Sequence, residues 1–207
     1  MRREVIIALR VTLVTLILTG LLYPLAMTGI AQVLFHDTAN GSLVRDEKGT
    51  VIGSEIIGQV FSNPAYLQGR PSAAGNGYDA ASSSGTNLGP TSDKLINGVK
   101  DDPATKDVDE TYLGFRDLAK AYREENGLAP DAVIPADAAT RSGSGLDPDI
   151  SPANADLQVA RVAKVRGLDA SRVREIVAQN TRGRALGFSG EPRVNVLLTN
   201  LALDRLK

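Results

Sequence analysis

Two carboxylates, Asp147 and Asp149, flank Pro148 inside the run SGSGLDPDISP, Ser142 to Pro152. Paired acids can move protons or hold a cation, and the small residues ahead of them could cradle a phosphate. Glycoside hydrolysis needs both carboxylates facing one substrate, which a pair straddling a proline does not ensure. A calcium loop supplies oxygens from many more positions than this run offers. The chain contains no Gly-x-x-x-x-Gly-Lys-Ser/Thr stretch, which excludes a P-loop. Nor does Ser142 to Gly145 follow a strong strand and open a helix, as a dinucleotide fold requires. Ser151-Pro152 does begin a helix, whose N-terminus attracts anions. Asp147 and Asp149 would repel a nucleotide there while favouring the helix dipole themselves. The run reads as a tight loop feeding a capped helix, or as a surface for a protein contact.

Three further groups carry chemical potential. Arg70, in RPSAAG, could clamp a carboxylate and Asn87, in SSSGTNLGP, could read a backbone; the plainer reading pairs Arg70 with an acid such as Asp79 and gives the Asn and Gly residues to turns. Ser92 and Lys94 are the nearest pairing for a membrane-anchored Ser-Lys hydrolase, which needs its lysine buried and pKa-depressed. The Ser-Met-Pro signature of such enzymes is missing. RVAKVRG, Arg161 to Gly167, is basic along one helical side: a solvated face, or one that meets an acidic partner. Gln158 stands at helical spacing from Val162 and points toward the same surface.

Composition narrows the classes. Cysteine is absent and His36 is the single histidine, so thiolate chemistry and histidine-rich metal sites are excluded. Basic and acidic residues nearly cancel, 23 against 24, which gives no reason to expect nucleic acid. Aromatics are scarce, whereas Gly, Ser, Ala and Pro abound, the composition of a loop-rich extracellular-type domain.

The element that positions everything else is at the N-terminus. Residues 11–35, VTLVTLILTGLLYPLAMTGIAQVLF, carry no charge, and about 20 apolar residues suffice to span a bilayer. Arg2, Arg3 and Arg10 precede the run and no base follows before Arg45. The positive-inside rule therefore puts residues 1–10 in the cytoplasm and residues 36–207 outside it. A cleavable signal peptide is the competing reading, with Gly29-Ile30-Ala31 as small residues, though the run exceeds the usual apolar region. Pro24 should kink the helix and free a carbonyl for a neighbour. Removing the three bases and one acid before residue 36 leaves 20 basic against 23 acidic, so the outer part is mildly acidic at −3.

In that outer part, Ser42 to Arg45 and Thr50 to Ile52 around DEKG predict a β-hairpin. Phe61 to Pro90 is a long irregular loop, ordered through Phe61, Tyr66 and Tyr78. Helices are expected over Ser92 to Lys100 and Thr111 to Asn126, the latter capped by Gly127 with Phe115, Leu118, Ala119 and Tyr122 on one face. Ala132 to Ile134 adds a strand. Three more helices run from Ser151 and Pro152 to Gly167, from Asp169 or Ser171 through Val177, and from Val194 to Leu206. The fold class is α+β with one membrane helix.

The span containing Tyr23-Pro24, then ANGSLVR, GSEIIGQVF, YLQGRPSAAG, SGTNLGP, SGSGLDPDISPANADLQVARVAKVRG and VNVLLTNLAL, in that order, resembles the C subunit of the Kdp-type potassium-transporting ATPase over nearly the full length. The resemblance implies a non-catalytic accessory subunit in the cell membrane. It implies as partners a channel-like potassium-binding subunit, a P-type ATPase subunit, a small single-helix subunit and membrane lipid. ATP and K+ are then handled by the complex, with no cofactor assigned to this chain, and a catalytic-chaperone role implies a raised ATP affinity of the ATPase subunit. The outward topology would make any such effect indirect. Partner contacts are expected at Tyr23, Pro24, Arg70, Asn87, Leu88, Gly89, Leu146, Asp147 and Gln158. The rival classes are a stand-alone anchored hydrolase and an external ligand-binding protein.

Overall fold

The computed structural model describes residues 1–100 and 111–206 and divides into two compact units, Met1–Ser54 and Glu55–Lys207. The first begins with one unbroken 33-residue helical run, Arg2–Leu34, long and apolar enough to cross a membrane. It comprises α1 (Arg2–Ile17), a π-helical turn (Leu18–Leu22) and α2 (Tyr23–Leu34). Pro24 lacks the N–H that would bond the carbonyl of Gly20, and its ring crowds that carbonyl. The chain accommodates it by widening the preceding turn, while the Thr19 hydroxyl donates to the carbonyl of Thr15 at 2.8 Å. At Phe35 the backbone leaves the helical region, and a single turn, α3 (His36–Ala39), leads to the hairpin β1 (Leu43–Arg45) and β2 (Val51–Ser54). Asp46 fixes the turn between them: its Oδ1 accepts the Lys48 N–H at 2.9 Å and the Thr50 N–H at 2.8 Å. This is the hairpin that the sequence predicts.

The second unit opens with the long loop, whose only regular structure is a 3-10 turn at Ala80–Ser82. The short α4 (Asp93–Asn97) and α5 (Phe115–Glu125) follow. Both are shorter than the sequence predicts, for one reason. Val99 and Tyr112 bridge in antiparallel fashion, and a Cβ on Gly114 would lie 2.3 Å from the Gly98 nitrogen. That close approach ends α4 at Gly98 and delays α5 to Phe115. On α5, Leu118, Ala119 and Tyr122 turn inward while Phe115 stays partly exposed.

The centre of the unit consists of β3 (Asp149–Ile150), α6 (Pro152–Arg166), α7 (Ala170–Gln179), β4 (Thr181–Arg182), β5 (Arg193–Asn195) and α8 (Val196–Asp204). The strands form one antiparallel sheet in the order β3-β5-β4, with Ile150 and Thr181 both opposite Val194. Ser151 caps α6 by accepting the Asn154 N–H at 3.1 Å, Pro152 occupies its first turn, and Gly167 at φ +66° closes it. Apolar side chains of α6 (Ala155, Val159, Val162), α7 (Val173, Ile176) and α8 (Val196, Leu203) bury with Ile150 and Val194 in one core. The fold class is α+β.

Two expectations need correction. Residues 132–134 form no strand: they lie between Pro130 and Pro135, and Val133 is 93% exposed without a partner strand. The last helix begins at Val196, not at residue 194, because Asn195 is its N-cap (Oδ1 to the Leu198 N–H, 3.0 Å) and residues 193–195 are the central strand.

Leu67, from the irregular loop, is fully buried in that helical core. Its backbone has no strand to pair with, so Asn200 of α8 takes that part: Oδ1 accepts the Leu67 N–H and Nδ2 donates to the Leu67 carbonyl, each at 2.8 Å. Asn200→Leu keeps the branched heavy-atom skeleton and adds apolar surface, yet it should destabilise the protein by about 2–4 kcal/mol by stranding two buried backbone groups. Urea unfolding of the detergent-solubilised chain checks this; a loss under about 0.5 kcal/mol, smaller than one net hydrogen bond, would refute the role of the amide.

Candidate functional site

Of the residues singled out by type and spacing, Arg70, Asp147 and Asp149 come together where the long loop meets residues 140–151. Arg70 is the hinge pin. Its guanidinium contacts Asp147 at 3.0 Å and donates to the carbonyls of Thr140 and Arg141 at 3.3 Å. The partner is therefore Asp147 and not Asp79, whose carboxylate instead accepts the Ala81 N–H at 2.9 Å and caps the 3-10 turn. Ser72 binds the carbonyl of Gly145 at 2.6 Å while accepting the N–H groups of Ala74 and Tyr78. The Tyr78 hydroxyl donates to the Arg70 carbonyl at 2.8 Å, and burial pushes its pKa up to about 12, so it stays a donor. Further along, the Ser84 N–H and the Ser83 hydroxyl both donate to the Ser144 carbonyl at 3.0 Å.

The second glycine of SGSG, Gly145, is required by this contact. Gly145 has φ +70°, and a Cβ there would sit 2.7 Å from the Ala74 nitrogen and the Ser84 carbonyl oxygen. A Cβ on Gly85 would meet the Gly143 carbonyl oxygen at 2.8 Å. The run is thus the inner half of a clasp between two loops, which answers the phosphate reading with a steric one.

Asp147 and Asp149 do not act as a pair. Asp147 faces Arg70, with Oδ1 on the Asp149 N–H at 3.0 Å, whereas Asp149 is bonded to Arg193 at 2.8 Å and to Asn195 at 3.2 Å. Arg70, Asp137, Asp147, Asp149, Ser151 and Arg193 line an open cleft of about 460 Å³. Asp137 binds the N-terminus of α6, taking the Ser151 N–H at 2.7 Å, the Ser151 hydroxyl at 2.9 Å and Asn154 Nδ2 at 3.0 Å.

Gln158 is 1% exposed, so it points into the protein and not to a surface. It accepts the Gln68 N–H at 2.8 Å and donates to the Gln68 carbonyl at 3.1 Å, repeating for Gln68 what Asn200 does for Leu67. RVAKVRG is likewise no solvated face. Arg161 is buried and donates to Asn126, Gln158 and the carbonyls of Pro64 and Tyr66; Arg166 reaches the Ala65 carbonyl and Asp204. Only Lys164 of the three bases is solvated. Burial pushes the Arg161 pKa down. Sequence reading missed the roles of Asn200 and Asn126 and took Tyr122 as packing alone, although its hydroxyl lies 2.8 Å from Asn154 Oδ1; polar groups on an apolar helical stripe were the available signal.

Ser92 caps α4 by accepting the Leu95 N–H at 3.4 Å, and Lys94 sits over the Tyr112 ring at 5.3 Å. That is helix capping and a cation–π contact, not a hydrolase dyad. Asn87 is exposed at φ +52°, with half-buried Leu88 and exposed Gly89 beside it. Leu146 is half-buried, and its carbonyl accepts the Gly58 N–H at 2.8 Å. Tyr23 and Pro24 lie on the open surface of the long helix.

The family model described as "K+-transporting ATPase, c chain" matches residues 5–205, a span that takes in both units. The chain belongs to the KdpC family. Among relatives named potassium-transporting ATPase KdpC subunit, that of Koribacter versatilis (strain Ellin345) is 50% identical over 204 residues, covering 99% of this chain and 95% of its own. That of Caulobacter sp. (strain K31) is 54% identical over 188 residues, covering 91% and 86%. The protein of Mycobacterium tuberculosis (strain H37Rv) is 48% identical over 206 residues, covering both chains in full. For a KdpC chain, a subunit of a potassium-transporting ATPase, the site is a locked scaffold.

Two outcomes follow from the clasp. Gly145→Ala should cost about 2–4 kcal/mol from the left-handed backbone and the backbone clash, read as a lowered unfolding midpoint. Asp149 supplies a pH test. Burial raises its pKa, with Arg193 opposing and Asp147 adding to the shift. The native state then holds this proton more tightly than the unfolded chain, so its contribution to stability declines as pH rises above about 4, the unfolded value. Asp149→Asn should gain stability relative to wild type as pH rises above about 4 in paired urea melts. A relative loss over that range contradicts the assignment.

Proposed function

We propose that this chain is a non-catalytic accessory subunit, anchored by Arg2–Leu34 with its N-terminus in the cytoplasm and its remaining mass extracytoplasmic. The observation that carries the reading is the apolar helix with Arg2, Arg3 and Arg10 at its start and no base after it until Arg45. Its partners are a channel-like potassium-binding subunit and a P-type ATPase subunit, with a small single-helix subunit and lipid beside the anchor. Its work is assembly, stabilisation and shaping of the outer potassium entrance.

The internal bonding of the site supports a docking role. Arg70, Asp147 and Gln158 are committed to holding loops, so they set the shape that a partner meets. Asn87, Leu88, Gly89 and Leu146 supply contact from the loops so held, and Tyr23 and Pro24 supply it in the membrane. Pro24 has no N–H to offer the Gly20 carbonyl, which makes that carbonyl the acceptor in this helix best suited to a neighbouring helix. A raised ATP affinity of the ATPase subunit would reach the cytoplasm through that helix, since the extracytoplasmic unit has no access to ATP in this topology. A mildly acidic outer surface gathers cations only weakly, because salt screens it within about 8 Å.

Topology is directly measurable because the chain lacks cysteine. Lys48→Cys and Asp131→Cys, both at exposed positions, should react with a membrane-impermeant maleimide in intact cells. Reaction only after lysis reverses the orientation and removes the indirect-effect reading with it. In parallel, a tagged chain drawn from potassium-starved cells in mild detergent should bring potassium-stimulated ATPase activity and two larger membrane subunits. Elution alone contradicts the accessory role.

A further inference from the structure

β4 and β5 are joined by residues 183–192, which project a tip where Ala185 and Ser189 exchange backbone hydrogen bonds at 2.8 and 2.9 Å. Leu186 at φ +54° and Gly187 at φ +81° are consecutive left-handed residues, and the Phe188 N–H reaches the Ala185 carbonyl at 3.3 Å. Glycine and asparagine tolerate a left-handed backbone in such a turn, whereas a branched apolar residue there is strained. Strain at Leu186 is matched by exposure: Leu186 is 88% and Phe188 75% accessible. Neither side chain belongs to the core. The sequence therefore breaks a turn rule to present two large apolar groups to the outside, with no compensating gain inside the chain.

Charge separates the occupants. Each arginine around the tip is already paired: Arg182 with Glu55 at 2.7 Å, Arg184 with Glu191 at 2.7 Å and Arg193 with Asp149 at 2.8 Å. Interfacial lipid wedges rely on free Lys and Arg to meet anionic headgroups. A neutralised polar collar around an apolar apex is the arrangement of a protein interface, with dry anchors inside a polar rim. Area excludes a second copy as the occupant: a tip-to-tip contact of two Leu and two Phe side chains falls well short of the roughly 1,200 Å² of a stable pair. The tip fits as one anchor in a larger assembly.

We propose that residues 185–189 form a plug that inserts Leu186 and Phe188 into an apolar, polar-rimmed socket on a membrane-embedded partner subunit of the transporter. The inference rests on the accessory-subunit reading above. The Arg184–Glu191 pair spans the base of the tip and holds it as a preformed protrusion, which lowers the ordering cost of insertion.

The test places the photoreactive residue p-benzoylphenylalanine at position 188 of the full chain in potassium-starved cells, with a tag for recovery. Irradiation should yield an adduct with a membrane subunit of the complex. An adduct with lipid alone, an adduct with a second copy, or none while partner subunits co-purify would overturn the plug and leave the accessory role standing. Failure of any partner to co-purify would overturn both. A second variant separates docking from folding: Leu186→Asn, which relieves the strained turn, should raise Tm by about 2–4 °C yet lower partner recovery several-fold. Raised or unchanged Tm with full recovery contradicts the proposal. Val133→Asn, at another exposed apolar position, should leave recovery unchanged.

Discussion

Side-chain amides bonded to both backbone groups of a loop residue are the interaction on which the second unit depends. Gln158 on α6 and Asn200 on α8 each present a C=O and an NH2 in the spacing of a peptide group, and each pairs with the N–H and the C=O of its target, Gln68 and Leu67. Two amides thus stand in for a neighbouring strand. An unpaired backbone group buried in a helical core would cost about 1–3 kcal/mol each. With the pairs made, Leu67 can enter that core from a segment with no regular structure of its own. Arg161 and Arg166 extend the same logic to the carbonyls of Pro64, Tyr66 and Ala65.

From this seam the rest of the loop is placed in order. Gln68 fixed on α6 delivers Arg70 to Asp147, the Arg70 carbonyl receives Tyr78, and Ser72 ties the turn beyond it to Gly145. The Gly-Ser run 142–145 admits this approach because a Cβ at Gly145 would strike the opposing backbone. Polar side chains that resemble a reactive site are thereby spent on architecture. What such a unit offers is a shaped and rigid surface, which suits the contact role proposed above.

Legibility in the sequence followed the physics of each element. The long apolar helix, the first hairpin, α6 with its Ser151 cap and Gly167 stop, and α7 from Asp169 declared themselves through composition, turn residues and caps. β3, β4 and β5 did not, because two or three residues cannot display an alternation; the central strand hid inside an apolar run that its own cap, Asn195, divides from α8. Gln158 and Arg161 read as surface because a helical wheel cannot show a loop folded over it. The Arg70–Asp147 pair joins positions far apart in sequence, which spacing alone cannot bring together, so the nearer Asp79 was the natural guess. Val133, between two prolines, shows that β-branched residues make a strand only where another strand awaits them.

The account stands on the claim that residues 64–70, irregular as they are, form part of the rigid core. Native-state hydrogen exchange on the full chain in lipid nanodiscs tests that most directly. Protection of the Leu67 and Gln68 amides should approach that of α6, opening only with the unfolding of the unit. Exchange of those two amides at the rate of the exposed 129–134 loop would show that the amide pairs do not hold, and that the surface they shape is not rigid.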